Sequence, residues 1–211
     1  MNNTYSQASQ DIFVLSLLNN KINGTFLEIG SNHPITHNNT YILEKKNNWK
    51  GIMIEYDKSF EHLYKIHRPN SIYLINDATK INYKELLDNN NFPKNIDYLQ
   101  IDLDVNNKST LNTLQLLNDT IMNDYKFATI TFEHDIYCGN YFNTREISRK
   151  IFLNKGYVLV FPDVSVFWEN NYKPFEDWYA HPDLIDINYI NSIKQDKSLT
   201  CDDIKKLLVK F

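Results

Sequence analysis

The chain has 211 residues, of which 42% are hydrophobic and 23% charged, and its formal net charge is -4. That length and mix suit one globular domain with a full hydrophobic core. Mild acidity without any run of lysine or arginine argues against a nucleic-acid-binding protein, which normally carries a basic stripe.

The first predicted element is a helix over Ser6 to Leu18, capped near Ser6 or Ser9, with Ile12, Phe13, Leu15 and Leu17 as its apolar positions. Gly24 breaks it, and "TFLEIG" follows as a short apolar run that favours a buried strand. A short helix over Thr40 to Asn47 leads to a second strand, "GIMIEYD". Lys58 to Ile66 is helical by pattern and ends at Pro69. "SIYLIN" is a third strand, followed by a helix around Lys84 to Leu87.

"IDYLQIDLD", Ile96 to Asp104, reads as a fourth strand ending in carboxylates. Leu111, Leu114, Leu117 and Ile121 then form a helical stripe behind Ser109 as cap. "FATITFEHD" is a fifth strand, and "NTREISRKIFLNKG" an amphipathic helix with Gly156 as its C-cap. "YVLVFPD" and "VSVFW" read as two further strands, antiparallel because the turn "PDVS" is too short for a parallel crossover. "CDDIKKLLVKF" closes the chain as a helix.

Strand and helix alternate from Thr25 onward. The expected fold is α/β and Rossmann-like: a mostly parallel seven-stranded sheet with an antiparallel edge pair and helices on both faces. One domain is expected over residues 1–211, with a core over about 25–170 and a C-terminal extension over about 171–211. No apolar stretch approaches the roughly 18 residues a membrane span needs, and the N-terminus shows no secretory pattern. Only two cysteines occur, Cys138 and Cys201, too few for a disulfide framework. A cytoplasmic protein is expected. Roughly one residue in seven is asparagine, as AT-rich codons would give.

In open α/β sheets ligands sit beyond the carboxyl ends of the strands, where strand order reverses. Glu28, Gly30, Ser31 and Asn32 would line that crevice. A dinucleotide site wants three glycines in this loop, and only Gly30 is present, so tight pyrophosphate binding is not expected. A phosphate-free nucleoside such as S-adenosylmethionine suits the loop better. Glu55, at the end of the second strand, is placed to accept from ribose hydroxyls, with a solvated strand end as the plain alternative. Asp77, with Ala78 beside it, would face the adenine edge or serve as a turn or helix cap.

The segments "YSQASQDIFVL", "FLEIGSNHPITHNNTYILEKKNNWKGIMIEYD", "NIDYLQIDLD" and "FEDWY" together resemble the FkbM family of S-adenosylmethionine-dependent methyltransferases. Ser6-Gln7, Gln10-Asp11, Asn39-Thr40 and Trp49-Lys50-Gly51 are the more specific matches. The family usually carries a second glycine where this chain has Pro34. The resemblance implies a class I methyltransferase that transfers a methyl group to a hydroxyl of a sugar, glycan or other small molecule. It also implies that Asn39 and Thr40 belong to the cofactor-binding set.

"LQIDLDVNNKSTLNTL" also resembles the macrocin-type, metal-dependent sugar O-methyltransferases. That resemblance implies Mg²⁺ bound by Asp102 and by an adjacent pair, either Glu133-His134 or His134-Asp135. A hard cation lowers the pKa of an acceptor hydroxyl and orients it for attack. Alternatively, His134 or Asp102 acts as a general base without metal. Either route expects Asp102 and the Glu133–Asp135 segment to face one another across the crevice.

Other residues carry weaker signals. Cys138 lacks an ordered Cys-His-Asn signature and reads as a partly buried thiol. His33 and His37 lack a third ligand, and His62 and His67 read as surface residues. "FEDWYAHPD" reads equally as a sugar-binding loop or as a loop packed over the sheet edge. The alternatives to a sugar methyltransferase are a silent cofactor-binding module, and a methyltransferase acting on a protein or another small molecule.

Overall fold

Apolar runs too short for helices alternate here with longer amphipathic stretches, and the chain folds accordingly. The computed structural model describes residues 4–208. The elements are α1 (Gln10–Leu17), β1 (Thr25–Ile29), α2 (Tyr41–Asn47), β2 (Lys50–Glu55), α3 (Glu61–His67), β3 (Ile72–Ile75), α4 (Tyr83–Asn89) and β4 (Asn95–Ile101). They continue as α5 (Ser109–Thr120), β5 (Lys126–Glu133), α6 (Phe142–Asn154), β6 (Val158–Trp168), β7 (Asn171–Ala180), α7 (Ile187–Ile193) and α8 (Cys201–Leu208).

The strands form one seven-stranded sheet in the order β3-β2-β1-β4-β5-β7-β6. β7 runs antiparallel to both its neighbours, and the other strands share one direction. Both faces are covered, which is why the central strands read as continuous apolar runs. One core lies under α4, α5 and α6 and includes Leu87, Leu117, Phe152 and the β5 residue Phe132. The other lies under α1, α2, α7 and α8 and includes Phe13, Leu43, Ile190, Ile204 and the β7 residue Trp178. The order reverses between β1 and β4, so the crevice of this sheet lies above their carboxyl ends. No helix among the described residues is long and apolar enough to cross a membrane.

The antiparallel pair differs from the one expected. "YVLVFPD" and "VSVFW" are not two strands: Val158–Trp168 is one eleven-residue strand. Its partner is Asn171–Ala180, so "FEDWY" lies in the sheet, and the sheet continues ten residues into the supposed C-terminal extension. Pro162-Asp163 looks like a turn but sits in a β-bulge, marked by a register shift between Phe161 and Val164 and by φ 52° at Asp163. Proline is tolerated there because the bulge on an edge strand needs no ladder donor from it. The true turn is Glu169-Asn170, both at positive φ (48° and 64°). That is the geometry of a two-residue hairpin, built without the glycine that would announce it.

Ser9 is the N-cap of α1, one of the two positions expected, at φ 67° and without a side-chain cap bond. Lys108, not Ser109, is the cap of α5. α7 was not expected from the pattern, and residues 209–211 of the expected C-terminal helix lie outside the described residues.

Candidate active site

The turn after β1 is built against β4. Gly30 has φ 82°, and a Cβ there would lie 1.6 Å from the Asp102 carbonyl oxygen. No side chain fits. The Gly30 and Ser31 N–H groups both donate to the Ile54 carbonyl, at 2.9 and 3.1 Å. The loop then turns through Asn32 (φ 49°) and His37 (φ 56°), left-handed positions that cost a non-glycine residue roughly 1–2 kcal/mol each.

Side chains from outside the loop hold that shape. Tyr64, on α3, shares a hydrogen bond of 2.7 Å with the Ser31 hydroxyl and lies 2.5 Å from the Asn32 carbonyl it donates to. Glu55, at the end of β2, accepts the Asn32 N–H at 2.6 Å. His33 Nδ1 accepts from the Ile35 and Thr36 N–H groups, so it supports a turn.

Beneath the loop lies a buried polar network. Glu28 accepts from the Asn38 amide (3.2 Å), the Asn39 N–H (3.1 Å) and the Thr40 hydroxyl (2.7 Å). Arg68 follows α3 and is 1% exposed. Its guanidinium donates to Glu44 (2.8 Å), Asn38 (2.8 Å), Thr40 (2.7 Å) and the Pro34 carbonyl (3.3 Å). Burial raises the Glu28 carboxyl to about 7, against the opposing pull of Arg68 and its three donors. Glu28 is therefore tied under the loop to the Thr40 hydroxyl and the Asn39 backbone N–H, while Asn39 Oδ1 is buried without a partner.

Gly30, Ser31, Asn32 and Glu55 meet at the crest. Glu55 also accepts from the Tyr56 and Asp57 N–H groups, both at 2.8 Å. Asp77 caps the short turn after β3, accepting from the Thr79 N–H at 3.0 Å and its hydroxyl at 2.6 Å, with Lys80 2.9 Å away. Those hydrogen bonds hold its carboxyl down at about 2. Ala78 is packed into the core.

A second group of carboxyls crowns β4, β5 and β7. Ile101 pairs with Phe132 and Glu133 with Glu176, so Asp102, Glu133 and Glu176 fall at one level. Asp102 and Glu133 are hydrogen-bonded to each other, and Glu133 also to Asp135. Burial raises Asp102 to about 6, with the charges of Asp135 and Glu55 adding to it. Glu133 goes well above the usual carboxylate range through burial and then the Asp102 charge. The pair therefore holds one proton between two carboxyls.

Burial raises Glu176 too, and the Gln10 amide of α1 donates to it at 2.8 Å. Gln100, 4% exposed, reaches Asp102 at 3.5 Å through its amide nitrogen. Gln100 Oε1 and Asp135 Oδ1 are buried without a partner.

His134 does not face Asp102. Side chains alternate along a strand, so the residue after Glu133 turns to the α6 face. There Nε2 lies 3.5 Å from Asp163 Oδ1 and 3.9 Å from Asp177 Oδ1. Both carboxylates belong to arginines of α6: Arg149 donates to Asp177 at 2.7 and 2.8 Å, and Arg145 and Arg149 each lie 3.0 Å from Asp163. The bulge at Asp163 aims its carboxylate into this cluster.

The Mg²⁺ set expected from Asp102, Glu133, His134 and Asp135 is thus divided between the two faces of the sheet. Among the described residues only His134, Asp163 and Asp177 bring three potential ligand atoms close together, and two arginines already neutralise that group. These donors do not fit a hard cation. Tyr64 and Arg68 escaped the sequence reading, and Gln10 and Glu176 entered it only within matched segments, since the partners of all four are distant along the chain. A cavity of about 690 Å³ beside α1 and α7 shares no lining residue with the crest.

The residues at the crest do fit a nucleoside without phosphate. A bare backbone turn at Gly30 lies beside an acceptor at Glu55.

No protein-family model matches the sequence, and no curated protein sequence matches it. The fold does have solved counterparts. A TehB-like SAM-dependent methyltransferase from Corynebacterium glutamicum superposes with a TM-score of 0.51 at 10% identity, covering 85% of this chain and 89% of that one. A putative rRNA methylase from Clostridium thermocellum gives 0.49 at 11% identity, covering 84% and 98%. A Dnmt2 methyltransferase from S. pombe gives 0.48 at 15%, covering 85% of this chain and 52% of its own. Identities this low speak for architecture alone. With its strand order and the first of these likenesses together, the chain has the Rossmann-like fold of the class I methyltransferases.

Proposed function

We propose that the protein is an S-adenosylmethionine-dependent O-methyltransferase whose acceptor is a hydroxyl of a sugar or glycan. The observation that carries this reading is the convergence of the Gly30 turn, Glu55 and the Asp102–Glu133 pair above the switch point of the sheet. The FkbM resemblance and the fold shared with the TehB-like methyltransferase support it, and neither names the acceptor. The crest is rich in carboxyls, which favours an acceptor without phosphates over a nucleic acid.

S-adenosylmethionine, when bound, supplies a methyl group made electrophilic by a sulfonium. The protein supplies position and a proton acceptor. Gly30 keeps side chains out of the turn where the methionine moiety would lie. Glu55 exchanges backbone donors for ribose hydroxyls. At neutral pH the Asp102–Glu133 pair carries one proton and one ionised carboxylate, so a carboxylate oxygen is free to take the proton of the acceptor hydroxyl. α1, tied to Glu176 through Gln10, covers this group and limits water.

Calorimetric titration with S-adenosylmethionine and S-adenosylhomocysteine tests the reading. Saturable binding to a single site supports it, and absence of binding at millimolar cofactor sinks it.

A further inference from the structure

Two buried polar residues open α1, and both reach back to the segment before it. Gln10 Oε1 accepts the Ala8 N–H at 2.8 Å, and Gln10 Nε2 donates to Glu176 of β7 at 2.8 Å. Asp11 accepts the Thr4 hydroxyl at 2.7 and 2.9 Å, the Ser6 hydroxyl at 2.8 Å and the Tyr5 N–H at 3.2 Å. Residues 4–9 are thus tied to the start of the helix by hydrogen bonds to two side chains.

The segment crosses the sheet. At one end the Tyr5 ring meets the Tyr41 ring edge to face at 4.8 Å. Tyr41 opens α2 directly after Thr40, whose hydroxyl donates to Glu28 of β1. At the other end Gln10 is fixed to Glu176, the register partner of Glu133. β4 and β5 lie between β1 and β7, so the two anchors stand on either side of the strands that carry Asp102 and Glu133. β1 and β7 are three strand spacings apart, about 14 Å, and the five steps from Tyr5 to Gln10 reach at most about 18 Å. The length suits a strap over the crest.

Its inner side is packed and its outer side is open: Ser6, Ala8 and Ser9 are buried, whereas Tyr5 and Gln7 are exposed. Glu176 feels the charge of Asp102, which sets the Gln10 anchor beside the carboxyls of the crest.

The same strap is built to let go. Ala8 is the one aliphatic residue between Thr4 and Ser9, so opening exposes little apolar surface, and water can replace its hydrogen bonds. Ser9, the joint between strap and helix, stands at φ 67° without a side-chain cap bond. A residue other than glycine, asparagine or aspartate is strained there, and opening relieves it.

We propose that residues 4–9 are a strap that opens to admit S-adenosylmethionine to the crest and closes over it, with Asp11 as latch and Ser9 as hinge. The proposal rests on the reading of the crest as a cofactor site, and it adds how that site is closed.

Hydrogen exchange read by mass spectrometry, with and without S-adenosylhomocysteine, tests it on the full chain. Surface plasmon resonance gives the association and release rates of the same ligand for wild type, Asp11→Ala and Tyr5→Ala. Saturating ligand should slow exchange over residues 4–10 at least fivefold and leave α4 unaltered. Release should quicken at least tenfold in Asp11→Ala and at least threefold in Tyr5→Ala, with association within twofold of wild type or faster. A merely structural role would lower the melting temperature without dividing the two rates in this way. Should Asp11→Ala fail to fold, Tyr5→Ala decides, because its side chain lies at the surface.

Bound S-adenosylhomocysteine without added protection of residues 4–10 overturns the strap, and so does release from the variants within twofold of wild type. Either result leaves the cofactor site standing. Absence of binding at millimolar ligand removes the cofactor site itself, and the strap with it.

Discussion

The phenol of Tyr64 reaches across from α3 to the Ser31 hydroxyl at 2.7 Å and the Asn32 carbonyl at 2.5 Å. Arg68, four residues on, grips Pro34, Asn38 and Thr40. Two positions of the loop after β1 stand in the left-handed region without glycine, and these side chains keep them there. A glycine-rich loop gets such a shape for little; here long-range hydrogen bonds supply it.

Tyr64→Phe is therefore expected to destabilise the fold by about 1–3 kcal/mol, since the Ser31 hydroxyl and Asn32 carbonyl lose a buried partner. Amide exchange over residues 31–38 should quicken more than exchange over β4 and β5. Uniform acceleration across the sheet would show that Tyr64 does not hold the loop in particular.

Arg68→Met should be more damaging. It leaves Glu44 and Glu28 buried without their cation, and losing one side of a buried pair costs about 3–5 kcal/mol. Urea denaturation measures this. A loss below about 1 kcal/mol would mean the network matters little to folding.

Stability should fall as pH rises from about 4.5 to 7. Glu28 titrates near 7 in the folded protein and near 4.5 when unfolded, so over that window the folded state holds a proton the unfolded chain has released. Asp102, raised to about 6, acts in the same direction. For fully buried Glu28 the shift is worth on the order of 3 kcal/mol. Below pH 4 the slope reverses, because Asp77 is held at about 2 and its hydrogen bonds fail on protonation. Glu28→Gln should flatten the fall between pH 5 and 7 in thermal melts; an unaltered slope would refute the assignment.

At the crest the two carboxyl groups should separate by function. Glu55→Ala is expected to weaken S-adenosylmethionine binding by about 1–3 kcal/mol, the worth of charge-assisted hydrogen bonds. Asp102→Asn, which removes the carboxyl of the pair that is ionised at neutral pH, should leave cofactor affinity within about twofold and lower methyl transfer to a saccharide acceptor about a hundredfold, as for loss of a general base. Radiolabelled methyl transfer and calorimetry on both variants check this. Reversed effects would exchange the roles assigned here.

The sequence by itself determined the alternation of elements, the first five strands in outline, and the positions of Gly30, Glu55, Asp102 and Glu133 at strand ends. Period and turn chemistry are local properties, and they survive without knowledge of partners. Even the number of strands could be read, although "PDVS" took the place of Glu169-Asn170 as the turn. A bulge and a glycine-free hairpin exchange their usual residues, so only the pairing of β6 with β7 distinguishes them. Tertiary structure alone decided the face of each side chain at the crest. Glu133 and His134 are adjacent in sequence, and the pleat sends one to Asp102 and the other to Asp163. It also brought Arg68 to Glu44 and Trp168 to Tyr137, contacts between residues far apart along the chain.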